Sequence, residues 1–332
     1  MNRTLISSVA AAALSLAATP AFAKCDKGEV VIKFSHVVAA TGNPKGEAAQ
    51  KLADRINKEM NGKACMEVYP NSQLYDDDKV LEAMLLGDVQ LAAPSLSKFE
   101  KYTKTYRVFD LPFLFASMEQ VRKFTGGPAG QKLLHAMDKV GFTGLDYWNN
   151  GLKQISAKKP LLTPSDAKGL KFRVQPSDVA VAMIRAMGAS AQKMAFKEVY
   201  GALQTGVVDG QENSWSNIYS MKFFEVQDGV TETNHQLLNY LVVTSKPWLD
   251  GLKPDVRTQF LKILKEETEA GNASAEKINQ EARAKIIAAG KKVRTLTAAQ
   301  RAEWVKVMKP VWKKFEKDIG ADVIEAAVAA GM

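Results

Sequence analysis

The chain has 332 residues, 46% of them hydrophobic, with 45 lysines and arginines against 36 acids for a net charge of +9. That length and ordinary composition exclude a disordered chain or a small disulfide scaffold and suit two globular domains. The basic residues are spread along helical segments rather than clustered, which argues for a solvated surface and against a nucleic-acid partner.

The first segment, MNRTLISSVAAAALSLAATPAFA, has a basic start, an alanine-rich apolar middle and small residues around Phe22. It reads as a secretory signal peptide, residues 1–23, cut near Ala23. Cys25 follows the cut, but Lys24 does not suit the small residue that a lipoprotein cut requires. Export makes a disulfide the expected use of Cys25 and Cys65, which precede two strand-like runs; two buried free thiols are the alternative.

Strand and helix signals then alternate. EVVIKFS is followed by a helical GNPKGEAAQKLADRINKEM, then by CMEVYP, a helical DDDKVLEAMLLG and a strand-like DVQLAAPS. FTGLDYW and KQISA read as strands, and Thr163 with Pro164 predicts a short capped turn ended by Gly169. KFRVQ opens a second series: helices around SDVAVAMIRAMG and KEVYGALQTG, strands at VVDGQEN and NYLVVTS. From Pro254 onward helix dominates, with TAAQ at 297–300 as a capping box. The alternation predicts α/β architecture with mostly parallel sheets.

No nucleophile elbow, zinc-binding helix, phosphate loop or dinucleotide fingerprint is present, and His36, His135 and His235 are far apart, so no metal or cofactor is expected. DDDK at 76–79 lacks the glycine and glutamate of a calcium loop, and reads as acids favoured at a helix start. What remains are polar residues at strand ends, where open sheets place ligands: His36, Ser95, Ser97, Lys153, Arg173 and Asn213. Arg173, alternating with Phe172 and Val174 in KGLKFRVQ, is either a solvated edge charge or a fixed cation awaiting an anion.

PNSQLYDDDKVLEAM, DVQLAAPSLSKFEKY, FDLPFLF, NNGLKQIS, GLKFRVQ, AFKEVYGALQTGVVDGQENSWSNIY and FFEVQDGVTETNH, in this order, resemble the substrate-binding proteins of tripartite ATP-independent periplasmic (TRAP) transporters, in particular those for C4-dicarboxylates. The resemblance implies a periplasmic binding protein fold: two α/β domains joined by hinge crossings, a long helix across both, and a ligand enclosed between them. It divides the chain into a first domain, residues 24–150 plus 239–278, and a second, 151–238 plus 279–332. It implies a monomeric, non-catalytic periplasmic protein that hands an organic acid anion to the small and large subunits of a membrane permease.

The resemblance also assigns roles. Arg173 would clamp a ligand carboxylate, Asn213 would donate to the same group, and Phe196 would form a pocket wall, with core packing as its alternative. Lys153 stands where some relatives carry arginine, keeping the charge and losing the two-pronged fork. A dicarboxylate needs a second cationic pole, for which His36 and Lys45, with the hydroxyl of Ser95, are the candidates. Trp148 and Trp215 either line the pocket or pack in the core. A monocarboxylate, such as a keto or sugar acid, would need Arg173 but neither His36 nor Lys45. A periplasmic enzyme acting on an organic acid would need a positioned base that the sequence does not display.

Overall fold

The computed structural model describes residues 25–332; the expected signal peptide lies outside them. The chain starts a first sheet with β1 (Val30–Ser35), α1 (Pro44–Glu59), β2 (Ala64–Tyr69), α2 (Val80–Leu85) and β3 (Leu91–Ala92). β1 lies between β2 and β3 and runs parallel to both. The Asn43 side chain caps α1 by accepting from Lys45 N–H, and Pro44 sets the first turn. Ala49, Leu52, Ala53 and Ile56 recur at helical spacing and bury one face of α1 in the sheet core. Gly46 lets the preceding loop fold back on the helix, since a Cβ there would lie 2.0 Å from the Ala39 carbonyl oxygen. Cys25 and Cys65 form the expected disulfide, tying the segment before β1 to β2.

α3 (Met118–Gly126) and α4 (Pro128–Leu134) lead into β4 (Phe142–Leu152) of the first sheet. After Lys153 alone the chain enters β5 (Gln154–Ala157) of a second sheet, so one nearly continuous strand is the first domain crossing. The second sheet grows through β6 (Lys171–Val174), α5 (Asp178–Ala186), β7 (Ser190–Lys193), α6 (Val199–Thr205), β8 (Gly210–Asn213), α7 (Trp215–Ser220) and β9 (Gly229–Glu232). Residues 233–236 are the return crossing to β10 (Leu237–Ser245), which sits between β3 and β4 in the first sheet.

α8 (Lys246–Gly251) precedes α9 (Pro254–Ala288), whose 35 residues span about 52 Å. Val256, Phe260, Ile263 and Leu264 of α9 join the core of the first sheet, and Ala282 and Ile286 join an apolar cluster of the second. This is the expected long helix across both domains. It is not long and apolar enough to cross a membrane, nor is any other helix among the described residues.

Three expectations are corrected. Both sheets are mixed rather than mostly parallel: β10 is antiparallel to β3 and β4, and β5 is antiparallel to β8 and β9, because strands that carry the chain between domains return in the opposite sense. The helical tail is interrupted by β11 (Lys292–Thr295), which pairs in parallel with β9 at the sheet edge. The tail is also shared. α10 (Ala298–Met308) packs Trp304 and Met308 against the second sheet, but beyond it Val311, Phe315, Ile319 and Ala327, through α11 (Glu316–Ile319) and α12 (Ala321–Ala329), enter the first-domain core with Leu111, Phe115 and Phe124. Assigning all of 279–332 to the second domain misses this apolar return.

Candidate functional site

Between the two sheets lies a narrow polar cavity whose walls come from both domains. The first domain supplies Val37, Val38, Lys45, Asp77, Ser95, Lys98 and Tyr240, and the second supplies Arg173, Gln175, Phe196, Asn213 and Asn217. Of the sequence-predicted residues, Arg173, Asn213, Lys45, Ser95 and Phe196 are therefore brought together; His36 and Lys153 are not.

Arg173 is 3% exposed in β6. Its Nε and Nη2 donate to the Met194 carbonyl at 3.1 and 2.9 Å, and its guanidinium carbon lies 5.8 Å from the centre of the Phe196 ring. These contacts hold the plane of the fork while Nη1 meets no acceptor among the described residues. Burial lowers its pKa to about 10, against the pull of Glu212 and nearby acids, so it stays a cation at neutral pH. Such an ion, desolvated and incompletely paired, is stabilised by an incoming carboxylate.

Asn213, at the end of β8, accepts from Asn217 Nδ2 at 2.7 Å and donates to Gln211 at 3.2 Å. Asn217 in turn accepts from Asn43 Nδ2, across the cleft in the first domain, at 2.7 Å. Phe196 is both wall and core, lining the cavity while packing edge-on against Phe223. Ser95 donates to Gln175 Oε1 at 3.2 Å, and Gln175 Nε2 donates to Ser97, which closes the domains against each other on that side.

On the opposite wall Lys45 is 1% exposed, donates from Nζ to the Ala93 carbonyl at 2.9 Å and sits 3.9 Å from the Tyr240 ring centre. Burial lowers its pKa to about 8, although Asp77 pulls the other way. Lys98, overlooked in the sequence, joins it, with Nζ 2.5 Å from Asp78. Lys98 follows Ser95 by three residues in the same loop after β3, and that adjacency was the available signal. Asp77, read from the sequence as an ordinary acid at a helix start, also faces the cavity.

Two residues depart from their expected roles. His36 is buried outside the cavity lining, and burial together with neighbouring Lys45 pushes its pKa down to about 3, so it is neutral and supplies no cationic pole. Lys153 is 1% exposed at the first crossing, its Nζ 2.8 Å from Glu212 and 2.7 Å from Gln236 Oε1. Its charge is spent on Glu212 within the hinge. The tryptophans pack: Trp148 stacks on Phe34 and donates to Thr268 Oγ1 at 2.8 Å, and Trp215 lies under Arg283 away from the cavity.

Larger hollows exist, of about 580 Å³ beside Lys222, Glu281 and Lys285 and about 540 Å³ beside Lys309 and Trp312, but exposed side chains border them and no buried cations converge there. Among the described residues, the one cluster of metal-ligating types is Cys25, Glu29 and Cys65, whose two sulfurs are bonded to each other.

Residues 34–318 match the family model for bacterial extracellular solute-binding proteins, family 7. A C4-dicarboxylate-binding periplasmic protein of Vibrio cholerae is 62% identical over 97% of both chains. Among solved structures, a TRAP periplasmic solute-binding protein of Shewanella oneidensis with bound succinate has 50% identity and a TM-score of 0.90, over 92% of this chain and 100% of the other. One from Pseudomonas aeruginosa with bound L-malate has 44% identity and a TM-score of 0.84, over 86% and 99%.

Proposed function

From the premise that the chain belongs to family 7 of the bacterial extracellular solute-binding proteins, we propose that it captures a C4-dicarboxylate between its domains and delivers it to a TRAP permease. It is a binding protein and not an enzyme: the ligand leaves chemically unchanged. The relatives that bind succinate and L-malate support the ligand class. The observation that carries the reading is a pair of buried cationic poles on opposite walls of one cavity, Arg173 in the second domain and Lys45 with Lys98 in the first.

Arg173 and Asn213 take one carboxylate, the guanidinium by paired N–H donors and the amide from the side. Lys45 and Lys98 take the other. Like charges facing each other across an empty cleft oppose closure, and a dianion placed between them reverses the sign of that interaction. Ligand therefore stabilises the closed state by what it gains there and lacks in the open one. The closed surface is then recognised by the permease's small and large subunits, with the binding protein acting as a monomer exported after cleavage near Ala23. The first domain comprises the strands of the first sheet, the N-terminal half of α9 and the last apolar segment of the tail.

Calorimetric titration of mature, ligand-stripped protein tests the reading. Succinate, L-malate and fumarate are expected to bind with micromolar or tighter dissociation constants, about −8 kcal/mol or better, while pyruvate, sialic acid and glutamate bind weakly or not at all. Tight binding of the monocarboxylates alone refutes the two-pole assignment.

A further inference from the structure

Asp77 is an unexpected residue in a cavity proposed to hold an anion. It is 9% exposed and lines the cavity beside Lys45, Lys98 and Arg173. Its neighbours in sequence are engaged: Asp76 accepts from the Asp78 and Lys79 backbone and faces Lys197 at 3.6 Å, and Asp78 pairs with Lys98. The Asp77 carboxylate receives no hydrogen bond and forms no ion pair with any described residue. Lys45 donates to the Ala93 carbonyl and Lys98 pairs with Asp78, and neither ammonium comes within ion-pair distance of Asp77. Asp77 also borders an outer hollow of about 190 Å³ shared with Lys98, so it stands at the partition between the cavity and its mouth.

A carboxylate that faces the cavity without a protein donor loses its water when a ligand fills the space, and a bare diacid gives it no donor in exchange, because ionised carboxylates are acceptors only. A hydroxyl on the ligand backbone does give it one. We propose that Asp77 is a specificity-determining residue that accepts a hydrogen bond from a ligand hydroxyl, so that the cavity favours a 2-hydroxy dicarboxylate over its deoxy analogue. The inference rests on the C4-dicarboxylate reading and names a subclass within it. Its physical basis is that of any site built around a substrate hydroxyl: an analogue lacking the group leaves the partner buried and unpaired.

The groups facing Asp77 define the competing state. Burial pushes the Asp77 pKa above the ordinary carboxylate value, opposed by Lys45 from α1 and Lys98 after β3 and reinforced by Asp78 and Asp76. A protonated Asp77 would donate to a ligand carboxylate and bring no preference for a hydroxyl.

The test is titration of mature wild type and Asp77→Asn with L-malate, D-malate and succinate at neutral pH, where Lys45 keeps its charge, with melting curves of both ligand-free proteins. Wild type is expected to bind one enantiomer of malate about tenfold more tightly than succinate, the effect of a hydrogen bond to a charged acceptor. In Asp77→Asn succinate binding strengthens, because a facing negative charge is gone, and the malate preference shrinks to about threefold or less. Asp77→Ser, smaller and uncharged, provides the same comparison if the amide disturbs packing. A malate preference that survives both substitutions, or none in wild type, overturns the inference while leaving the dicarboxylate reading intact. Succinate affinity that rises steeply on acidification in wild type and not in Asp77→Asn also overturns it, since the residue would then act as a protonated donor. Failure of all three acids to bind wild type removes the reading and the inference together.

Discussion

Arg173 concentrates the chemistry of the cavity in one side chain: a buried guanidinium held by Met194 and Phe196 with part of its fork unpaired. Arg173→Lys keeps the charge and loses the planar pair of donors, so succinate affinity should fall about 10- to 100-fold, the range of one or two charge-assisted hydrogen bonds. The ligand-free melting temperature should fall far less, because a lysine keeps one donor for the Met194 carbonyl and the rest of the fork awaits the ligand. Titration with differential scanning calorimetry separates the two effects. His36 makes a different prediction. It stays neutral when folded because its pKa is lowered from 6.5 to about 3, whereas the unfolded chain takes up the proton near the ordinary value. Its contribution to stability is therefore lost as pH falls through that window. His36→Gln should flatten the acid side of the stability curve, measured as urea midpoints from neutral pH to the acid end of the window. Arg173 and Asn213 were legible in the sequence because their motifs sit at strand ends. Lys153 was misplaced because its partner Glu212 is brought to it by pairing of β5 with β8, a long-range contact that local spacing does not reveal.

At the scale of elements, the hinge is built around that buried pair. Lys153 lies between β4 and β5, bonded through its backbone to Gln236 and His235 of the return crossing, and its ammonium spans to Glu212 of β8. Removing one partner leaves a buried charge uncompensated, so Lys153→Met should cost about 3–5 kcal/mol, much of it recovered when Glu212→Gln is added. Chemical denaturation of the two single variants and the double variant measures the coupling. The start of α1 carries a second device. Asn43 caps the helix with Oδ1 and donates from Nδ2 to Asn217, linking Lys45's helix to the element that positions Asn213. Asn43→Asp keeps the cap and loses the donor, and Asn43→Ser keeps a cap without adding charge. Both should speed ligand dissociation, by about tenfold for one lost buried hydrogen bond, with association nearly unchanged; stopped-flow displacement reads the two rates. Strands with clear apolar alternation and helices with caps, such as α1 and the Thr297-capped α10, could be read in advance. β3 lies within the strand-like DVQLAAPS, whereas β11 could not be read, since it exists through pairing with β9, far earlier in the chain.

For the whole molecule, closure under the two-pole proposal is a balance between opposed cations and the anion that separates them, set on two crossings and one helix that spans both domains. The Cys25–Cys65 bond anchors the start of this frame to β2 and closes a loop across 40 positions. Its reduction should lower stability by about 2–4 kcal/mol without changing succinate affinity, as thermal melts and titrations with and without reductant would show. The two-domain plan and the long helix were legible from alternation, helical spacing and family resemblance together. The apolar return of Val311, Phe315 and Ile319 to the first domain was not, because an amphipathic tail carries no label for which core it will cover. The proposal that two cationic poles grip two carboxylates is tested most directly by comparing succinate with succinamate, its isosteric monoamide, in one calorimetric experiment. Loss of the second carboxylate is expected to weaken binding by about 100-fold, a charged hydrogen bond and its ion pair together. Equal affinity for the two ligands would contradict the role given to Lys45 and Lys98.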